Sequence, residues 1–186
     1  MPRRRYIFDP PERFVAGTVG EPGDRTFFLQ ARDGGRIVSI VLEKVQVAVL
    51  AERLTALLDE LARRGVSPAD EQFVPTADSS PLDEPLIEAF RAGSLTLGWD
   101  GASERILVEA RAQGEDGEPI DPDEDDDEDE DGPDLLRVRM TATEARSFID
   151  RAERVVAGGR SPCPLCGAPL DPQGHICPRR NGHLVN

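Results

Sequence analysis

The 186-residue chain predicts an α+β fold: two meander-plus-helix (βββα) units sharing one core of mostly antiparallel strands, followed by a small cysteine- and histidine-bearing tail. Three observations lead there. Strand-like runs come in threes, and each trio is closed by one helical stripe. The two trios align with each other. All three cysteines and both histidines fall within residues 161–186.

The first unit spans 13–65. Arg13 to Gly20 reads as a strand, Glu21-Pro-Gly-Asp24 as a turn, and Arg25 to Ala31 as a second strand rich in β-favouring residues. Asp33-Gly-Gly35 is a hairpin signal, because glycine takes positive φ at no steric cost. A third strand follows from Arg36 to Leu42. From about Lys44 to Arg64, Leu50, Leu54, Leu57, Leu58 and Leu61 recur at helical spacing with charged residues between them, and Gly65 ends the helix. That stripe is expected to pack on the meander. Residues 66–86 hold Pro68, Pro75, Pro81 and Pro85 and read as a long irregular connection.

The second unit spans 90–158. Leu95, Leu97 and Trp99 alternate as in a half-buried strand, Asp100-Gly-Ala-Ser103 turns the chain, and Arg105 to Ala110 makes the next strand. An acidic loop at 115–134 interrupts before a strand from Leu135 to Met140. Thr141-Ala-Thr-Glu144 is a capping box, and Phe148, Ile149, Ala152, Val155 and Val156 form the apolar stripe of the helix it opens. Gly158-Gly159 stops that helix. A displacement of 98 places Leu42 on Met140, Gln46 on Glu144 and Leu50 on Phe148, while Arg25 and Arg105 are offset by 80. The difference matches an insertion the size of the acidic loop, which points to an internal duplication. Whether the strands make one sheet, a sandwich or a partly closed barrel stays open at this level.

Charge is concentrated rather than spread. The net charge of −14 equals the 14 acidic residues between Glu115 and Asp134; elsewhere 22 acidic residues balance 22 Lys and Arg. The chain outside this loop is therefore neutral overall. No run approaches the roughly 18 apolar residues of a membrane span, and the N-terminus lacks an apolar leader core, so a cytoplasmic protein is expected.

The tail, 161–186, carries Cys163-Pro-Leu-Cys166, His175-Ile-Cys177 and His183. A C-x-x-C pair offers two thiolates to one ion from a tight turn. Residues two apart on a strand share a face, so His175 and Cys177 complete a tetrahedron from one hairpin edge. The expected ligands are Cys163, Cys166, His175 and Cys177 around a structural Zn2+, with His183 the alternative to His175. Four protein ligands close such a zinc-ribbon-like site, which suits folding and not catalysis. A reduced thiol cluster, or one disulfide and a spare thiol, is the competing reading.

Several stretches, Phe14-Val-Ala-Gly-Thr-Val-Gly20, Arg25-Thr-Phe-Phe-Leu-Gln-Ala31, Gly98-Trp-Asp100, Cys163-Pro-Leu-Cys166 and Gly174-His-Ile-Cys177, resemble an uncharacterised actinobacterial family, domain of unknown function 3090. The resemblance covers nearly the whole chain. It implies a high-GC Gram-positive origin and a cytoplasmic protein, and it often places tyrosine at the position of His183, which favours His175 as ligand. It carries over no catalytic residue.

The sequence holds no phosphate-cradling Gly-x-x-x-x-Gly-Lys and no Gly-x-Gly-x-x-Gly. A histidine-based catalytic device would have to dismantle the metal site. Carboxylates such as Asp9, Glu12, Glu43 and Asp100 leave an enzyme as a lesser alternative. Nucleic-acid binding is the other: Arg3 to Arg5, Arg160, Arg179 and Arg180 are basic, but too few for a strong footprint beside an acidic loop. The expectation is a non-enzymatic interaction or adaptor protein with a structural zinc, a protein partner and no membrane role; the oligomeric state stays open.

Overall fold

The computed structural model describes residues 2–66, 78–114, 116–119, 131–159, 163–165 and 177. Its elements run β1 (Arg5–Phe8), β2 (Arg13–Val19), β3 (Thr26–Asp33), β4 (Arg36–Leu42), α1 (Lys44–Arg63), β5 (Glu88–Asp100), β6 (Arg105–Ala112), β7 (Leu135–Met140) and α2 (Ala142–Ala157). The local signals act as expected. Asp33 pairs with Arg36 across Gly34-Gly35, and Gly34 has φ 57°, the left-handed conformation this two-residue hairpin demands. Thr141 caps α2 by accepting from the Glu144 amide, and the Glu144 carboxylate accepts from the Thr141 amide at 2.7 Å. Gln46, the counterpart of Glu144 at the displacement of 98, accepts from the Glu43 amide at 2.8 Å.

One seven-stranded sheet results, ordered β1-β7-β6-β5-β4-β3-β2. Two features depart from the expectation. β1 is a seventh strand, paired in parallel with β7, and β4 pairs with β5 in parallel rather than antiparallel fashion. Both follow from the handover between units. The last strand of each trio lies beside the strand that opens the other trio. β5 does this within one long strand: residues 88–91 lie along β4, and residues 92–100 pair with β6. In the first unit the same job is divided between β1, beside β7, and β2, beside β3.

Facing refines the correspondence. Phe27, Leu29 and Ala31 of β3 enter the core as Ile106, Val108 and Ala110 do in β6, an offset of 79, one less than the two arginines suggest. Val38, Ile40 and Leu42 of β4 match Leu136, Val138 and Met140 of β7 at 98. Phe14 and Ala16 of β2 match Leu95 and Leu97 of β5 at 81.

The sheet must curl. Six spacings would put the edges of a flat sheet about 29 Å apart. Yet only Asp9 to Glu12 join the end of β1 to the start of β2, a span of at most about 18 Å. Arg36, at the hairpin between β3 and β4, accordingly reaches β1: it donates to the Ile7 carbonyl and lies 4.1 Å over the Phe8 ring. Inward side chains of the strands join Val47, Leu50, Leu54 and Leu58 of α1 and Phe148, Ile149 and Ala152 of α2 in one core. Phe14 stacks on Phe148 at 4.9 Å, setting α2 against the edge strand β2.

The outer face of the first meander is covered as well. Residues 78–87 have no regular structure but are pinned there: Gln30, 1% exposed, exchanges hydrogen bonds with the Asp83 backbone at 2.8 and 3.0 Å. Leu82 lies over Gly17, where a Cβ would come 2.6 Å from Leu82 Cδ2. At the corresponding Gly98 the nearest atom is Leu107 Cβ at 3.7 Å, an ordinary contact. Gly17→Ala should therefore displace Leu82 and cost about 1–3 kcal/mol, whereas Gly98→Ala should change stability by less than about 0.5 kcal/mol. Urea unfolding of the two variants measures this; equal effects would show that Leu82 is not held on the sheet.

Candidate functional site

The sulfurs of Cys163 and Cys177 come together. Both residues are buried, at 6% and 5% exposure, both are free of disulfides, and their Sγ atoms lie 3.9 Å apart. Two thiolates bound to one tetrahedral zinc at about 2.3 Å would be separated by about 3.8 Å, so the pair fits the expected ion. A disulfide needs about 2.05 Å. Cys166, His175 and His183 lie outside the described residues, and among the described residues no three His, Cys, Asp or Glu side chains gather as a metal site.

What sets the start of the tail is the seating of α2, whose last residue, Ala157, precedes Cys163 by six positions. Arg151 is buried within that helix. Its Nε donates to the Ala16 carbonyl of β2 at 2.7 Å, and its Nη1 donates to Asp78 Oδ1 at 2.8 Å and to the Asp78 carbonyl at 3.0 Å. The Asp78 carboxylate also receives Arg13 Nε at 2.6 Å and Nη2 at 3.1 Å, a bidentate fork. Arg13 Nη1 in turn reaches Asp83 at 2.7 Å. At the far end of α2, Arg25 donates to the Val155 carbonyl at 3.3 Å, placing a cation at the negative end of the helix.

The hydrogen bonds from Arg13 hold the Asp78 carboxyl below the usual carboxylate range, against the opposing effect of burial. Because this shift is downward, its stabilisation is complete above the unfolded-state value of about 3.9 and is lost as pH falls through the lower folded value.

Three of the four carboxylates read as possible catalytic groups, Asp9, Glu43 and Asp100, are engaged in structure. Glu43 pairs with Arg91 at 3.1 Å, and Asp9 with Arg139 at 3.2 Å. The amide of Glu12 donates to the Arg32 carbonyl at 2.9 Å. Asp100 accepts from the Ser103 hydroxyl at 2.7 Å and from the amides of Ala102 and Ser103; the hydroxyl bond is the main reason its carboxyl is held low. A general acid needs the opposite shift. A buried group that sequence reasoning missed lies on the outer face of the second unit, where Glu109 meets Arg111 at 3.0 Å and Arg137 on the neighbouring strand. Opposite charges at alternate positions of one strand were the available signal.

The basic N-terminus is occupied too. Arg4 binds Asp134 through its amide and Nε, both at 2.8 Å, which fastens one end of the acidic loop to β1. Arg160, Arg179 and Arg180 lie outside the described residues.

Residues 6–177 match the family described as Protein of unknown function (DUF3090). The chain belongs to this family. No curated protein and no solved structure matches it. Membership thus supports the extent of the resemblance, from β1 to Cys177, and assigns no activity. No helix among the described residues is long and apolar enough to cross a membrane.

Replacing Arg151 with Ala leaves Asp78 its fork to Arg13 but uncovers the Ala16 carbonyl, so it should cost about 1–3 kcal/mol in urea unfolding. Wild-type stability should fall steeply as pH is lowered below about 4, and Asp78→Asn should flatten that slope. An unchanged slope in the variant would remove Asp78 from the acid response.

Proposed function

We propose that this chain is a non-enzymatic interaction or adaptor protein whose tail is folded by a structural Zn2+ held by Cys163, Cys166, His175 and Cys177. One observation carries the metal reading: two buried, unbridged thiols at 3.9 Å, the separation that a shared tetrahedral ion requires. His183 remains the alternative to His175. In this reading zinc supplies folding energy to a segment too short to build a core of its own, and binding would deprotonate the thiols. It fastens the tail beside the end of α2, leaving the body and the acidic loop to meet a protein partner in the cytoplasm. The ion-paired state of Asp9, Glu43 and Asp78 supports an interaction role over acid-base chemistry. The occupied Arg4 weakens a nucleic-acid reading.

Protein purified under reducing conditions without added metal should contain about one zinc per chain by elemental analysis. Cys163→Ser, Cys177→Ser and His175→Ala should each lose it, while His183→Ala keeps it. Well-folded wild-type protein without metal would overturn the zinc reading and leave the thiol cluster in its place. Retention in His175→Ala with loss in His183→Ala would exchange the fourth ligand.

A further inference from the structure

The two units leave two equivalent grooves between a helix and the edge of the strand that opens its trio, and the described residues fill only one of them. In the first, Thr143, Glu144 and Ser147 of α2 face Arg13, Phe14 and Val15 of β2 around a pocket of about 150 Å³, with Asp78 in its wall. In the second, Val45, Gln46 and Val49 of α1 face Gly93, Leu95 and Leu97 of β5 around about 340 Å³. The displacement of 98 that maps Thr143 onto Val45 and Ser147 onto Val49 also maps Arg151 onto Arg53. Arg53 lines the second groove. It is exposed and makes no hydrogen bond or ion pair with the described residues, whereas Arg151 is buried under Asp78.

The backbone differs in the same sense. Arg151 covers the Ala16 carbonyl on the open edge of β2. In β5, Gln46 donates to the carbonyls of Ala92 and Gly93, but from Leu95 to Trp99 the only ladder partner among the described residues is β6. That half-strand is therefore a second open edge, flanked by Val45 at 64% and Val49 at 38% exposure. An apolar edge with unpaired backbone groups accepts an added strand.

We propose that the α1–β5 groove binds an extended segment of a partner protein that adds a strand along Leu95–Trp99, rests apolar side chains on Val45 and Val49, and directs a carboxylate to Arg53. The chain's own Asp78 on Arg151 in the equivalent groove is the precedent for that carboxylate. A single acidic group is favoured over an acidic run. Residues 116–119 of the acidic loop lie at this rim, where a Cβ on Gly93 would lie 3.2 Å from Pro119 Cα, and their Asp116 and Glu118 would repel a strongly acidic segment. The inference rests on the protein-partner reading above and is independent of the metal.

The test is an amide NMR titration of the full chain, as purified under reducing conditions, with a nine-residue synthetic peptide alternating valine and threonine around a central aspartate. Shifts at 94–99 and on the α1 face at Val45, Val49 and Arg53 are expected, with affinity lowered at least tenfold by Arg53→Ala or by asparagine in place of the peptide's aspartate. Val49→Asp, an exposed position that should not disturb folding, should abolish binding. No shifts at millimolar peptide, shifts confined to 115–134, or affinity indifferent to both variants would overturn the proposal. So would concentration-dependent sedimentation abolished by Val49→Asp, which would make a second copy the occupant. Zinc content decides the metal reading separately, so neither failure can be mistaken for the other.

Discussion

The Asp78 carboxylate is the point on which the chain's long-range organisation turns. Arg13 brings β2 to it, Arg151 brings α2, and Arg154 adds a bond to the Asp78 carbonyl at 3.2 Å. The residues joined are separated by 65, 73 and 76 positions. A partly buried charge pair is worth little if it merely replaces apolar contact, because desolvation offsets much of the Coulomb gain. Its value here is geometric. Arg151 spends one donor on the Ala16 carbonyl, so a single guanidinium closes a sheet edge and fixes a helix. Curvature makes the arrangement possible, since the short link from β1 to β2 draws the two ends of the sheet toward each other.

Much of this fold could be read in the sequence wherever a local rule decides the conformation. The leucine stripe of α1, the Thr141–Glu144 box and Gly34-Gly35 each fix structure through neighbours a few residues away, and each element lies where expected. β1 could not be read. Four residues are too few to show alternation, and what makes them a strand is pairing with β7, 130 residues on. The parallel contact of β4 with β5 escaped notice for the same reason. The Asp78 clamp was hidden because nothing local distinguishes an aspartate that meets two arginines from one that meets water.

The candidate metal site shows the reverse balance. Its residue types announced it, since sulfur and imidazole ligands are absent from the body apart from Met1 and Met140. Geometry supplies what spacing could not: Cys163 and Cys177, fourteen positions apart, lie with their sulfurs 3.9 Å from each other. The choice between His175 and His183 depends on a loop path that residue types do not determine.

The correspondence of the two halves explains more by its failures than by its matches. Gly17 and Gly98 hold equivalent places, yet one lies under Leu82 and the other has only an ordinary contact. Arg151 and Arg53 hold equivalent places, yet one is buried and the other exposed. Every such difference traces to residues 78–87, which lie on the first meander and have no counterpart among the described residues of the second. We read the two units as a duplication in which this connection came to serve one copy. Asp78 of that connection occupies the first groove, and the second groove has no such occupant among the described residues. Solvent is the poorer occupant of an edge that displays Val45, Val49, Leu95 and Leu97, because apolar area left in water costs about 25 cal/mol per Å².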